Sequence, residues 1–235
     1  ISDLFPKEKR AGALAVYSLG IPFGVMLAFF ASAFFLQGGS ADWRTVMISV
    51  GLPGVILALL LKFTVKEPKR TESVQTDDAE KPSVSASLKT LLKIPTWWGM
   101  ALGISFGSFG NYAISTWIID YYVRAFAGLD ITQLLIAFGI INGSAYALGV
   151  WLGGYIADRW GKQNKKAYAL LPAIALIIGV PALYFSLQVN DLWLSVGLMT
   201  FLLFTSGSYL GPSFAMAQTL APINVRAMST ALFFF

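Results

Sequence analysis

Cysteine and histidine are both absent from the 235 residues, and charge is scarce, at 12% of the chain. Without a thiol or an imidazole there is no disulfide framework, no Cys/His zinc site and no Ser/His or Cys/His nucleophile pair, so most hydrolase chemistry is excluded. An ordinary soluble domain is about 25% charged, and this chain has too little charge to coat a soluble surface. What charge there is leans positive, +5 in all. A nucleic-acid reading would need those cations gathered on one polar face. They are instead dispersed among short segments between apolar runs, so no nucleic-acid partner is expected. No metal ligand set and no cofactor motif is present, and the chain is not expected to be an enzyme.

Apolar residues are what the sequence has in quantity, at 56%, with a mean hydropathy of +0.67. A helix crossing a bilayer needs about 20 mostly apolar residues, because in hydrocarbon only the helix itself can satisfy its backbone N–H and C=O groups. Six complete stretches qualify: 11–36, 45–64, 97–123, 133–156, 167–187 and 192–216. A seventh opens near Ala227. The chain begins at Ile1 and stops in Phe233-Phe234-Phe235, inside that newly opened run, so both ends read as truncations. An all-α, multi-pass membrane protein is expected.

Lysine and arginine in the intervening loops set orientation. Alternate loops divide the 17 basic residues into 15 and 2, the smaller set being Arg44 and Arg124. Loops 1–10, 66–94, 158–166 and 217–226 are therefore expected on the cytosolic side. Trp43, Trp97, Trp98, Trp160 and Trp193 fall at span edges, where an amphipathic ring prefers the headgroup level. The run from Lys66 to Lys93 is rich in Ser, Thr, Asp, Glu and Lys and reads as a linker with too little apolar content to fold. Its pair Asp77-Asp78 reads as solvated linker charge. Residues 1–65 then close an N-terminal bundle, 66–94 form a cytosolic central linker, and 95–235 form a C-terminal bundle.

Two turns match each other, Pro6-x-x-x-Arg10-Ala11 and Pro222-x-x-x-Arg226-Ala227, 216 residues apart and each followed by a long apolar run. A repeat of several spans is what two homologous halves leave in a sequence. After the fourth complete span stands Gly154-Tyr155-Ile156-Ala157-Asp158-Arg159-Trp160-Gly161-Lys162. It resembles the signature G-x-x-x-D-R-x-G-[RK] of the major facilitator superfamily, found there in the cytosolic loops after the second and eighth helices. Ile1–Pro6, Ser18–Gly24 and Asp42-Trp43-Arg44 are similar to spinster-like and related bacterial members, a group that includes lipid exporters. The resemblance implies two six-helix bundles, here truncated at both ends, with the spans corresponding to helices 5 to 10 and the start of helix 11.

In that superfamily the signature latches the halves together on the cytosolic side in one state. Carried over, the gating motif comprises Gly154, Asp158, Arg159, Gly161 and Lys162, with Arg10 and Arg226 at the equivalent positions opposite. Asp158 would accept hydrogen bonds from N–H groups at the start of helix 5, near Arg10, Ala11 and Gly12, while Gly154 and Gly161 permit a tight turn. The substrate pathway would be lined by Ser108, Asn111, Tyr112 and Thr116 on helix 7, Asn142 and Tyr146 on helix 8, and Thr205, Ser208 and Tyr209 on helix 10, with Tyr17 a weaker candidate. At 100° per residue, Gly99, Gly103, Gly107 and Gly110 fall on one side of helix 7 and read as a close-packing face. Its hydroxyl residues fall opposite. Helix 10 divides similarly, with Gly149 and Gly153 on helix 8 open to either packing or lining.

No charged side chain is visible in mid-span, where one would cost at least about 2.5–3.5 kcal/mol. Asp120, within i,i+4 reach of Arg124, reads as a salt bridge at the outer mouth. The resemblance implies a secondary active transporter working by alternating access on a small organic or amphipathic, lipid-like solute. Two alternatives stay open: a proton-coupled organic-anion symporter, and a non-transporting receptor on the same fold. Membrane lipids are expected partners, a coupling proton is left open as a further one, and the full-length protein is expected to be a monomer in a bacterial inner membrane.

Overall fold

The computed structural model describes residues 9–37, 42–65 and 83–234, and the regular structure among them is entirely helical. In chain order the helices are α1 (Arg10–Ser18), α2 (Gly20–Gln37), α3 (Trp43–Thr64), α4 (Val84–Leu92), α5 (Pro95–Ala125), α6 (Ile131–Ile141), α7 (Ala147–Gly161), α8 (Ala167–Gln188), α9 (Leu192–Gly207), α10 (Leu210–Leu220) and α11 (Arg226–Phe234). A π-helical turn at Asn142–Tyr146 joins α6 to α7 without a loop, and a 3₁₀ turn at Ile223–Val225 precedes α11.

Capping explains where several of these helices start. The first N–H groups of a helix have no acceptor within it, and a side-chain oxygen just ahead can supply one. Asp130 accepts from Thr132 N–H at 2.8 Å and opens α6, Asp191 accepts from Leu194 N–H at 2.7 Å and opens α9, and Asp42 accepts from Arg44 N–H at 3.1 Å and opens α3. Pro95 opens α5 as its first residue, where its missing N–H costs nothing.

Five helical stretches are long and apolar enough to cross a membrane: Gly12–Gln37, Trp43–Thr64, Ile131–Gly161, Ala167–Gln188 and Leu192–Ala217. The chain is a multi-pass membrane protein. The sixth expected span corresponds to α5, which at 31 residues has ample length but carries so many glycines, hydroxyls and aromatics that it falls short in hydropathy. The expected 133–156 span also runs further than its apolar content suggested. It continues to Gly161, so the Gly154–Gly161 signature occupies the last turns of α7 rather than a loop.

Two other expectations are corrected. The end of the supposed unfolded linker is helical: Ser83 caps α4 by accepting from Ala86 N–H at 3.2 Å, and Ser87 and Leu91 are buried. Averaged with the polar run before it, this amphipathic stretch had vanished; residues 66–82 lie outside the described set. Trp97 is not an interfacial ring. It is fully buried with Leu91, Ala221 and Val225, and its Nε1–H donates to Ser229 Oγ at 2.6 Å. Ser229 in turn donates to the Ala217 carbonyl at 2.9 Å.

Packing sorts the helices by level. At the Asp158 end α1 packs against both α7 and α10, and further along the same seam α2 packs against α6 and the π turn. Small residues permit this: a methyl on Gly139 would strike the Phe30 ring, and one on Gly143 would strike Met26. The approach of α7 to α9 and α10 is closer still, because Gly149 lies against the backbone of Phe204, Gly153 against that of Ser208, and Gly207 against that of Tyr146 and Val150. At the opposite end, Tyr122 Oη and Ser195 Oγ share a hydrogen bond of 2.9 Å, while Ser186 and Ser195 donate to each other's carbonyls at 2.9 and 2.7 Å, tying α5 to the α8–α9 hairpin.

Candidate functional site

A cavity of about 470 Å³ lies between α2, α5, the π turn and α10. α5 presents Ser105, Ser108, Asn111, Tyr112 and Ser115 to it, the π turn presents Asn142 and Tyr146, and α10 with the residue before it presents Tyr209, Ser213 and Phe214. α2 contributes Ile21 and Val25. Among the described residues, none that lines it is charged. Asn111, Tyr209 and Tyr112 lie near the Tyr146 phenol, within otherwise mainly apolar walls. Asn142 uses its Nδ2 to donate to the Phe138 carbonyl at 2.8 Å, which leaves its side-chain oxygen as an acceptor.

Of the nine residues expected along a substrate pathway, the cavity gathers Ser108, Asn111, Tyr112, Asn142, Tyr146 and Tyr209. It does not gather Thr116, Thr205 or Ser208. Their hydroxyls donate back to the carbonyls of Tyr112, Leu202 and Phe204 at 2.8, 2.9 and 3.3 Å. The helical-wheel reading fails on this segment because the helix is interrupted at Ser208–Tyr209, and Pro212 has no N–H to bond across the break. Beyond it, 100° per residue no longer applies. Thr205 turns toward Gly179 of α8, and the Ser208 backbone toward Gly153 of α7. Tyr17 is exposed at 71% and lies away from the cavity. Ile21, Val25, Ser213 and Phe214 were not singled out from the sequence; only Ser213, next to Pro212, carried a polar signal.

Among the described residues nothing packs closely on the glycine face of α5. A methyl added to Gly99, Gly103 or Gly110 would meet nothing within 4 Å, and one on Gly107 would make ordinary contact with Leu176 at 3.4 Å. Gly99 and Gly103 instead border a second cavity of about 370 Å³ between α5, α8 and α10, which shares Ile104, Tyr209 and Ser213 with the first.

At the far end of α7, Asp158 joins two other elements. Its Oδ2 accepts from the Gly12 N–H at 2.6 Å, and its Oδ1 accepts from the Tyr168 O–H at 3.1 Å. Gly12 is in the first turn of α1, where backbone N–H groups lack in-helix acceptors and the helix dipole favours an anion. A methyl on Gly12 would stand 2.9 Å from the same carboxylate oxygen. Gly161 does not serve a turn; the ring of Tyr168 lies against it where a side chain would be, at 2.7 Å from Cζ. Arg159 is exposed and its Nη1 donates to Tyr155 Oη at 3.4 Å, and Lys162 is exposed beyond the helix end. Arg10 and Arg226 are the first residues of α1 and α11, and their side chains lie outside the described set. At the other end, Asp120 and Arg124 pair at 2.8 Å as exposed i,i+4 neighbours, a contact of small energetic weight.

Comparison with known proteins gives this arrangement its context. The chain is 25% identical over 231 residues to an MFS-type efflux pump of Mycolicibacterium smegmatis, covering 98% of this chain and 52% of that protein. It is 28% identical over 202 residues to human protein spinster homolog 1, covering 80% of this chain and 38% of that one. Its fold is similar to the crystal structure of a bacterial homolog to the human lysosomal transporter Spinster in an inward-facing, unoccupied conformation, with a TM-score of 0.68 at 22% identity over 99% of this chain and 54% of that one. The chain thus spans about half the length of these relatives or less. The family profile described as Major Facilitator Superfamily matches residues 1–235, and the chain belongs to that superfamily.

Proposed function

We propose that this chain is the central part of a secondary active transporter that moves a neutral, amphipathic organic solute by alternating access between two helix bundles. The observation that carries the reading is the cavity itself. It has room for a small organic molecule, its walls are mainly apolar, and its polar groups, Asn111, Asn142, Tyr112, Tyr146 and Tyr209, are uncharged and close together. Such a site rewards a solute with one uncharged hydrogen-bonding group and an apolar body; a multiply charged solute would be desolvated without a counter-ion. The name of the Mycolicibacterium smegmatis relative, an MFS-type efflux pump, agrees with outward transport. Family membership favours transport over bond-making chemistry, and no side chain in this cavity is placed as an acid, base or nucleophile.

In this reading the Asp158–Gly12 bond fastens α7 to α1, and hence residues 95–235 to residues 1–65, in one of the two access states. The Asp158 end faces the cytosol, as the distribution of 15 basic residues against 2 supports, in the inner membrane of a bacterium. Arg159 and Lys162 then sit where the anionic inner leaflet attracts them. A coupling proton would need a carboxylate elsewhere in the full-length protein, since this wall supplies none.

The test is flux in proteoliposomes holding the full-length protein, with a fluorescent monoacylglycerol as probe. Saturable uptake accelerated by the same compound on the opposite side is the expected result. Saturable binding without such counterflow would establish a receptor instead. Stronger competition by sugar phosphates than by neutral amphiphiles would refute the neutral-solute reading and favour the organic-anion symporter.

A further inference from the structure

Tyr168 holds the second oxygen of Asp158, and nothing about the Gly154–Lys162 signature requires a tyrosine there. It stands at the start of α8, beyond the signature and across the Lys162–Lys166 turn. We propose that Tyr168 is a positioning residue of the Asp158 joint: its hydroxyl orients the carboxylate so that Oδ2 meets the Gly12 N–H, and loss of that hydroxyl loosens α1 from α7. The inference rests on the reading of Asp158 as a latch.

Geometry supports it from three sides. A carboxylate has two oxygens on one rotor, so fixing Oδ1 at 3.1 Å from the Tyr168 hydroxyl also fixes where Oδ2 points. Oδ2 lies 2.6 Å from Gly12 N, a short charge-assisted bond whose strength depends on that alignment. Tyr168 is itself placed for the task. Its ring lies on Gly161, where any side chain would displace it, and packs on the cluster containing Leu14, Ala15, Val150 and Ala157, the same residues that seat α1 on α7. Tyr168 also borders the second cavity, beside Gly99 and Gly103. Gly161 thereby gains a specific role within the signature, as the seat of the Tyr168 ring.

The experiment uses full-length protein carrying a single cysteine at Ala15, which is fully buried where α1 meets α7 and α10, and follows the rate of labelling by N-ethylmaleimide in membranes. If labelling proceeds through opening of the joint, its rate reports the open population. Asp158→Asn is expected to raise the rate about tenfold, the scale of one hydrogen bond to a charged group. Tyr168→Phe, which keeps the ring on Gly161 and removes only the donor, is expected to raise it several-fold. The double variant is expected to label no faster than Asp158→Asn alone. A wild-type rate in Tyr168→Phe with a raised rate in Asp158→Asn would overturn the role of Tyr168 and leave the latch standing. Additive effects would show that Tyr168 acts elsewhere than through Asp158, which also overturns it. Wild-type rates in both variants would overturn the latch and this inference together. Because Phe retains the packing, a merely structural role for the ring predicts no change in Tyr168→Phe.

Discussion

Adding one methyl group at Gly153 is expected to destabilise the protein, whereas the same methyl at Gly103 is expected to be neutral or stabilising. At Gly153 the new Cβ would stand 2.5 Å from Ser208 Cα and 2.7 Å from its carbonyl carbon, where ordinary contact begins at 3.4 Å. These are backbone atoms that cannot rotate away, so α7 and the Ser208 break would have to separate by about 0.9 Å at that level, an overpacking cost of about 1–3 kcal/mol. The gain in helix propensity, about 0.5–1 kcal/mol, offsets only part of it. At Gly103 no described residue lies within 4 Å of the added methyl, so the propensity gain stands alone. The propensity gain is common to both variants and cancels, so they should differ by the overpacking cost alone, about 1–3 kcal/mol. Thermal unfolding of full-length Gly153→Ala and Gly103→Ala in detergent, followed by loss of the monodisperse chromatographic peak, measures the difference as a separation of several degrees with Gly103→Ala the higher. Equal depression of both melting temperatures would refute the reasoning, since it would mean that the glycine face of α5 is packed and the second cavity is closed.

The remaining predictions concern single bonds. Asp158→Asn keeps the size of the side chain but weakens an acceptor of two hydrogen bonds, and should slow transport by the full-length protein about tenfold without reducing the amount inserted in the membrane; wild-type turnover would count against the latch. Ser229→Ala removes the acceptor of the buried Trp97 Nε1–H and should cost about 1–3 kcal/mol, seen as a lowered melting temperature, and a melting curve unchanged from wild type would show that the indole finds another partner.

Much of the fold was legible because the membrane imposes a simple rule on sequence. Apolar runs gave the spans, whereas the caps that open two of them, Asp130 and Asp191, were not picked out from the sequence. The polar side of α5 was legible for a similar reason: with no interruption from Pro95 to Ala125, spacing along the sequence translates directly into angle around the axis. Ser108 and Tyr112 accordingly share the cavity with Ser105 and Ser115, although Thr116 on the same unbroken helix does not line it and bonds back to the Tyr112 carbonyl. Where the helix is broken the translation fails, and Thr205 and Ser208 were misplaced relative to Tyr209. The glycines were misread for another reason. Periodicity shows that Gly99, Gly103 and Gly107 share a face, but what that face meets is a tertiary fact. The same holds for Trp97, whose partner Ser229 is 132 residues away, and for Tyr168, which no local pattern links to Asp158.

Three interruptions of helical geometry coincide with the cavity, and their coincidence follows from what the cavity must do. The α1–α2 boundary at Leu19 lies just before Ile21 and Val25, the π turn contains Asn142 and Tyr146, and the α9–α10 break contains Tyr209. An unbroken helix in hydrocarbon spends its backbone polar groups on itself, and irregular backbone is tolerated there only where it lies within protein or lines a cavity. Each interruption also turns the residues beyond it away from the direction that a continuous helix would give them. Tyr146 thereby comes near both Asn111 and Tyr209 in the cavity, while Gly153, further along α7, lies against the Ser208 backbone. Below the interruptions α1, α7 and α10 form one packed unit that carries the Asp158 joint; above them α2 runs against α6, and α8 against α9. The cavity borders the first unit, sharing Tyr146, Tyr209, Leu210 and Phe214 with its core. If the cavity takes the solute, as proposed, a solute that contacts those tyrosines touches the same packed unit that Asp158 bonds to at its far end, and the two places are linked through well-packed side chains rather than through a loop.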